Sequence, residues 1–424
     1  MLRTNLRKNT SDGGAYPCHR RPTRHDRHVS TTWGRARRIS ADAAGVLPAI
    51  EVPLSDALGL VLAGPVLART PLPAFDVAAA DGWAVSGPGP WQEELRSDRV
   101  VDGAAVPVRT GDPLLPGSDA VVSYANGIAR PERSAVWVYV GDPRFDQLAP
   151  RPGYLEPGSN ITYRGGTADV GTTRAPLGVV VTPAVIAAAA ESGHDVLAVI
   201  RRPDAVLVII GDERWDHGAS RDGRTRDAIT PAVAAAVVNN GGRLLPMHLI
   251  PGKAGELRLP LQEVTEDAAA NLILVTGPAG HAARTDTLAA LEALGATILV
   301  DDLTIDPGYD AILARTRDGR LVAYLPGDPL GAITALATIV VPALTAFAGR
   351  PFQPARTALL DRSLPGHLDA ARLVGGRLHR GELADTVEPV AGSGIRTLTE
   401  ADVLIVVPPG GAPAGALVEL AILP

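Results

Sequence analysis

The run Ala205-Val206-Leu207-Val208-Ile209-Ile210 is apolar without interruption and ends on Gly211-Asp212-Glu213. A strand with no polar alternation has to bury both faces, as strands do in a parallel sheet covered by helices. Two more such runs follow. Leu272-Ile273-Leu274-Val275-Thr276 stops at Gly277, and Leu321-Val322-Ala323-Tyr324-Leu325 stops at Pro326-Gly327-Asp328-Pro329. Helical patterns over 232–239, 286–294 and 330–347 alternate with them, which predicts a doubly wound α/β domain over 183–350. Ligands bind such sheets beyond the carboxyl ends of the strands, where glycines let the backbone approach closely and helix N-termini favour phosphate. Gly211, Asp212, Glu213, Thr276, Gly277, Pro326, Gly327 and Asp328 are therefore the candidate ligand-facing residues of this domain.

At 424 residues the chain is too long for one core, so two to four domains are expected. The first 38 residues carry ten Lys or Arg against two Asp, with little apolar periodicity, and read as a basic, disordered tail. Residues 39–73 together with 150–182 form a linker and dimerisation domain. Residues 74–149 hold short Val-rich runs such as Ala120-Val121-Val122 and Ala135-Val136-Trp137-Val138-Tyr139-Val140, which predict a β-rich domain. A helix is expected over 182–192, opened by Pro183 in its first turn. Residues 351–424 return to short strands and turns and predict a small C-terminal β-domain.

Composition narrows the function. Hydrophobic residues at 46 % and charged residues at 20 % describe a soluble globular chain, and no apolar run is read as a membrane span. The net charge of −6 argues against a general nucleic-acid binder. No apolar signal core follows the basic start, and Cys18 alone excludes an intramolecular disulfide or a cysteine-built zinc site. A cytoplasmic location is expected on these grounds. The glycine-rich turns match neither a Walker A loop nor a dinucleotide fingerprint. Lysine occurs only at Lys8 and Lys253, so the remaining positive charge is arginine.

The stretch from Pro73 to Val85 sets two carboxylates, Asp76 and Asp81, around an alanine run, with Asp81 against Gly82. It resembles the P-P-F-D-N-S-A-M-D-G-Y-A-V signature of the MoeA-type molybdopterin molybdenumtransferases, the family that includes the gephyrin E domain. The run from Arg109 through Thr110, Gly111 and Asp112 to Val122 is similar to that family's T-G-A-x-x-P-x-G-A-D-A-V-V. Ile210-Gly211-Asp212-Glu213 resembles T-G-D-E-L. Leu325-Pro326-Gly327-Asp328-Pro329-Leu330-Gly331-Ala332 resembles L-P-G-N-P-V-S-A. Gly392-Ser393-Gly394 with Leu398, Asp402 and Gly415 resembles the end of the last family domain. Five short motifs in one order, over nearly the whole chain, identify it as a member.

The resemblance implies the last step of molybdenum cofactor assembly. Molybdenum from molybdate enters an adenylylated molybdopterin, with Mg²⁺ present and AMP released. It implies that Asp81, Asp212 and Glu213 are catalytic, with Asp212 and Glu213 also holding the metal. It implies a homodimer in which Thr110 and Gly111 line the facing subunit's cleft, with Gly82 among the substrate-binding residues, while Gly327 leaves room for the pterin nucleotide. Other molybdenum-cofactor enzymes are further expected partners; nucleic acid and membrane are not. The chain also departs from the pattern. The family's K-P-G-K-P, whose lysines are expected to hold molybdate, is matched by Asp306-Pro307-Gly308-Tyr309-Asp310, with Arg315 or Arg317 as candidate substitutes. The loop at 277–282 loses a serine, the G-E-D acid near Asn160–Thr167 is missing, and the D-S-N helix start is matched to Ala228-Ile229-Thr230. The alternative reading is therefore a catalytically degenerate paralogue that binds a pterin nucleotide or serves as a scaffold.

Overall fold

The computed structural model describes residues 31–132, 135–142, 147–148, 155–211, 214–215, 217–220, 224–250, 258–267, 269–277, 281–301 and 303–424. Its centre is a mixed sheet in the order Arg243–Leu244, Asp204–Ile210, Leu272–Thr276, Leu321–Leu325, Ile312–Arg315, Thr297–Val300, with His248–Ile250 also on Asp204–Ile210. The three apolar runs are its parallel core, in register Val206 to Ile273 to Val322. All seven residues of Asp204–Ile210 are buried, as a strand covered on both faces requires. Alternate side chains feed two cores. Leu207, Leu274 and Ala323 pack toward the helices Trp33–Ala43, Ile229–Asn239 and Pro329–Ala335. Val206, Ile273 and Val322 pack with Leu261, Val264 and Leu291 on the other face, where Arg258–Asp267 and His281–Ala293 lie.

Two strands, Ile312–Arg315 and Thr297–Val300, run antiparallel at one edge. They were not legible as buried runs. Each is short, and Thr297–Val300 is only partly covered.

The helical stretch Pro329–Phe347 is nineteen residues long, with a mean hydropathy of 2.0. The sequence reading of no span-length apolar run needs correction here, since this one is long and apolar enough to cross a membrane. It is instead the main core element, 72 % buried, with Leu336, Ile339 and Val340 fully enclosed. A π turn over Leu336–Val340 joins its two α-helical parts.

The first helix, Trp33–Ala43, begins inside the segment read as tail. Trp33, Ala36 and Ser40 fall on one helical face and are buried, and this short stripe is easily lost among three arginines. Residues 1–30 lie outside the described residues. The strand Ala49–Pro53 pairs antiparallel with Val196–Ile200, and Thr182 caps the helix Pro183–Glu191, accepting from the Val185 amide.

A seven-stranded, largely antiparallel sheet holds Gly82–Val85 between Ala104–Val108 and Ala120–Ser123. The five C-terminal strands close on themselves, because Ala371–His379 bonds both Thr386–Pro389 and Val403–Val407, and Ile305–Asp306 adds a sixth strand beside Ala371–His379. Closure removes exposed edges and explains the short strands read in that region.

Candidate functional site

Three of the resembling segments come together on one surface. Val77–Ala78 pairs with Ile161–Thr162, and the Ala79 amide donates to the Asn160 carbonyl at 2.8 Å. The turn at 109–112 closes on the same strand: the Gly111 amide donates to the Ala78 carbonyl and the Ala78 amide to that of Asp112, at 2.8 and 3.0 Å. Asp76 accepts from the Arg164 amide at 2.7 Å, and Asp112 from the Arg109 amide at 2.8 Å. Gly111 takes φ of +89°, which the tight turn requires.

Asp81 sits exposed at the rim of this surface. Its Oδ1 accepts from the Thr110 amide at 2.7 Å and from the Thr110 hydroxyl at 2.9 Å. Those two bonds, the backbone one foremost, hold the carboxyl below the ordinary aspartate range, with Arg109 adding a smaller pull. Gly82 is needed beside it for a different reason. A Cβ at that position would lie 1.9 Å from the Val122 carbonyl oxygen of the neighbouring strand.

The second constellation is the carboxyl edge of the parallel strands. Thr276 stands in register with Ile209 on one side and Leu325 on the other, so Gly211, Gly277 and Pro326-Gly327-Asp328 share one edge. Gly211 takes φ of +100°. At Gly277 a Cβ would meet the Ala283 Cβ at 3.3 Å, so the glycine lets the following helix come close. Thr276 is fully buried and its hydroxyl oxygen has no hydrogen-bond partner among the described residues. An orphaned hydroxyl at such an edge suits a ligand or water that completes it.

Asp328 is a helix cap. Its Oδ1 accepts from the Gly331 amide at 2.7 Å, opening Pro329–Ala335. Asn caps as well as Asp, which accounts for the aspartate where the family motif has Asn. Asp227 does the same for Ile229–Asn239, accepting from the Ile229 and Thr230 amides at 3.0 and 3.1 Å. The carboxylate at this helix start is thus retained one residue before the stretch matched in sequence.

The turn at 306–310 adjoins this edge. The Thr334 hydroxyl, in the helix that Asp328 caps, donates to the Pro307 carbonyl at 2.9 Å. Burial pushes the Tyr309 phenol up, and the carboxylates of Asp310, Asp328 and Asp306 push it further, against Arg284. Sequence reasoning missed Arg284, which pairs with Asp301 and, at 3.7 Å, with Asp310. Neither proposed substitute cation is at this turn. Arg315 donates to the Ala43 carbonyl at 3.0 Å from the opposite end of its strand, and Arg317 packs on Gly295. No local sequence pattern announces Arg284, because its partners are 17 and 26 residues away.

Asp81, Gly82, Thr110 and Gly111 are therefore brought together, and Gly211, Thr276, Gly277, Pro326, Gly327 and Asp328 are brought together separately. Every hydrogen bond of the Asp81 and Thr110 side chains described here stays within that first surface. Asp212 and Glu213 lie outside the described residues. Among the described residues no three His, Cys, Asp or Glu side chains converge as metal ligands. A cavity of about 410 Å³ lies elsewhere, between the first helix and the C-terminal barrel, lined by Trp33, Thr304, Pro408 and Leu417.

A mixed α/β sheet with a glycine-bearing carboxyl edge, a β-rich domain and a closed C-terminal barrel is the architecture of molybdopterin-handling proteins of the MoeA type. The MoeA N-terminal region (domain I and II) matches residues 31–193, and a probable molybdopterin binding domain matches residues 206–346. Molybdopterin molybdenumtransferase 2 of Mycobacterium tuberculosis (strain CDC 1551 / Oshkosh) is 28 % identical over 353 residues, covering 77 % of this chain and 83 % of its own. Molybdopterin molybdenumtransferase of Staphylococcus aureus (strain Mu50 / ATCC 700699) is 25 % identical over 322 residues, 72 % of each chain. The fold is shared with the molybdopterin biosynthesis MoeA protein of Pyrococcus horikosii, at a TM-score of 0.71 and 19 % identity over 93 % of this chain and 99 % of that one. The chain belongs to the MoeA-type molybdopterin molybdenumtransferase family.

Proposed function

We propose that this protein is a molybdopterin molybdenumtransferase, acting in molybdenum cofactor biosynthesis. It binds adenylylated molybdopterin at the carboxyl edge of the parallel strands, takes molybdenum from molybdate, and releases AMP. The observation that carries the reading is that edge. Three adjacent parallel strands are followed by Gly211, Gly277 and Gly327, and the helices His281–Ala293 and Pro329–Ala335 come next in the chain after the last two. Backbone amides and helix dipoles there favour the phosphates of a nucleotide, and the Thr276 hydroxyl, without a partner among the described residues, suits a ligand that completes it.

Asp81 supplies the carboxylate on the opposing surface. Thr110 holds one oxygen and favours the ionised group, leaving the other as an acceptor that can orient a water attacking the phosphoanhydride. Since the Asp81 surface and the sheet edge are built from separate bonding networks in one chain, a second copy is proposed to bring them together as a homodimer. Mg²⁺, a hard cation suited to carboxylate oxygens, is assigned to Asp212 and Glu213 from the sequence alone, and no step here passes through it. A cytoplasmic setting, where a dithiolene stays reduced, accompanies the proposal. The experiment is incubation with adenylylated molybdopterin, molybdate and Mg²⁺, reading AMP release and pterin-bound molybdenum.

The acidic turn at 306–310 favours a second reading. A protein that binds the pterin nucleotide but inserts no metal would keep the edge and show nucleotide affinity without molybdate-dependent AMP release.

A further inference from the structure

Asp81 is held from both sides by its neighbours in the β-rich sheet. On one side Ala104–Val108 pairs with Gly82–Val85, and Thr110 in the turn beyond it grips the carboxylate. On the other side Gly82 pairs with Ser123, and the Tyr124 amide donates to the Asp81 carbonyl at 3.0 Å, so Tyr124 stands opposite Asp81. Side chains opposite each other in an antiparallel pair share one face of the sheet. The Tyr124 ring therefore borders the face that carries the Asp81 carboxylate.

That ring is fixed but not covered. It meets the Trp83 ring edge to face, with 4.5 Å between centroids and 88° between planes. Trp83 is itself buried, its Nε1 donating to Glu93 at 2.8 Å. The turn that carries Tyr124 is closed by the Asn126 amide on the Ser123 carbonyl at 2.9 Å. Yet Tyr124 is 49 % exposed. Aromatic residues make up only 4 % of the chain, so where it leaves them open is selective. Among the described residues the exposed aromatic side chains are Phe75, Tyr124, Tyr163 and Tyr309. The first three lie in the segments that build the Asp81 surface, and the fourth on the turn beside the sheet edge. An open ring at such a place offers a π-face, and one already held in position loses little freedom on binding.

We infer that Tyr124 stacks on a planar nitrogen heterocycle of the substrate, the pterin or the adenine, and holds it while Asp81 faces the phosphoanhydride. This role rests on the transferase reading and on the homodimer that joins the two surfaces. It makes Tyr124 a binding residue for the ring, beside a carboxylate that serves the phosphate chain, and makes Trp83 the residue that positions it. Every such heterocycle has a π-face, so stacking by itself does not choose between the two rings. Separate ligands choose between them.

Calorimetric titration of the full chain with AMP, and separately with 6-carboxypterin, tests the stack without turnover. Tyr124→Leu, which keeps an apolar side chain but not the ring, should weaken the stacked ligand on the order of tenfold, the usual loss for one base on one aromatic side chain. Tyr124→Phe should retain the affinity. Weakening of AMP alone assigns the adenine, of 6-carboxypterin alone the pterin, and of both a face open to either. With adenylylated molybdopterin as substrate, the loss in Tyr124→Leu should fall on KM, as for a contact made equally in the ground and transition states. A variant that merely loosens the fold would lower the active fraction at unchanged KM. Equal affinities of both ligands for the unmodified and Leu proteins, a loss in Tyr124→Phe as large as in Tyr124→Leu, or binding of neither ligand to the unmodified protein overturns the assignment. Absence of AMP release from the unmodified protein counts against the transferase reading instead, and the two titrations still judge Tyr124. If Tyr124→Leu proves unfolded by thermal melting, NMR of tyrosine-labelled unmodified protein decides. Stacking should move the Tyr124 ring protons upfield on ligand binding, and unmoved resonances contradict it.

Discussion

Thr110 gives both its amide and its hydroxyl to one oxygen of Asp81, at 2.7 and 2.9 Å, across 29 residues of sequence. A carboxylate that accepts two bonds on Oδ1 is fixed in orientation and favoured in its charged form. The relationship joins the two segments, each of which is half of one device.

That device has a pH signature. The Asp81 carboxyl is held below the ordinary aspartate range in the folded protein. Its contribution to stability is complete above the ordinary value and is lost as pH falls through the depressed one. Thr110→Val removes the hydroxyl but not the amide, so the Asp81 titration should move up only part of the way, as read by carbon-13 NMR of the carboxyl. An unchanged titration would contradict the hydroxyl's share.

Gly82→Ala should destabilise the β-rich domain. The added methyl lands 1.9 Å from the Val122 carbonyl oxygen, which is backbone of a paired strand and can move only with that strand. A loss at the upper end of the ~1–3 kcal/mol typical of overpacking is expected in denaturant unfolding.

Asp328→Ala should cost about 1 kcal/mol through loss of the cap on Pro329–Ala335, and Asp328→Asn should restore it. Equal stability of the Ala and Asn variants would show that the cap contributes nothing and would return Asp328 to a purely ligand-facing role.

A homodimer is expected in sedimentation at micromolar concentration, at twice the chain mass. A persistent monomer would leave the Asp81 surface and the sheet edge unjoined.

The parallel core was legible because three short, uninterrupted and largely β-branched or aliphatic runs read as doubly buried strands, and Gly211, Gly277 and Gly327 mark their ends. Asp81, Gly82, Thr110 and Gly111 were legible through motif order, though only coordinates show that Thr110 bonds Asp81. The helix at Trp33 was hidden by its arginines, whose long stems hide a narrow apolar stripe. Arg284 was hidden for a deeper reason. Its meaning lies in a pairing with Asp301 and Asp310 that arises when the 301–310 segment folds back over a helix start, and such a pairing leaves no periodicity or spacing to read.

The central claim is tested most directly by molybdate-dependent AMP release from adenylylated molybdopterin, comparing the protein with Asp81→Asn. The account predicts release by the unmodified chain, and a fall of roughly 10²–10³ in Asp81→Asn, the usual loss for one electrostatic group at a reacting centre. Melting temperature should stay level, since Asn keeps an oxygen for Thr110. AMP binding without any molybdate-dependent release, alike in both proteins, would contradict it and leave a nucleotide-binding relative without the transferase step.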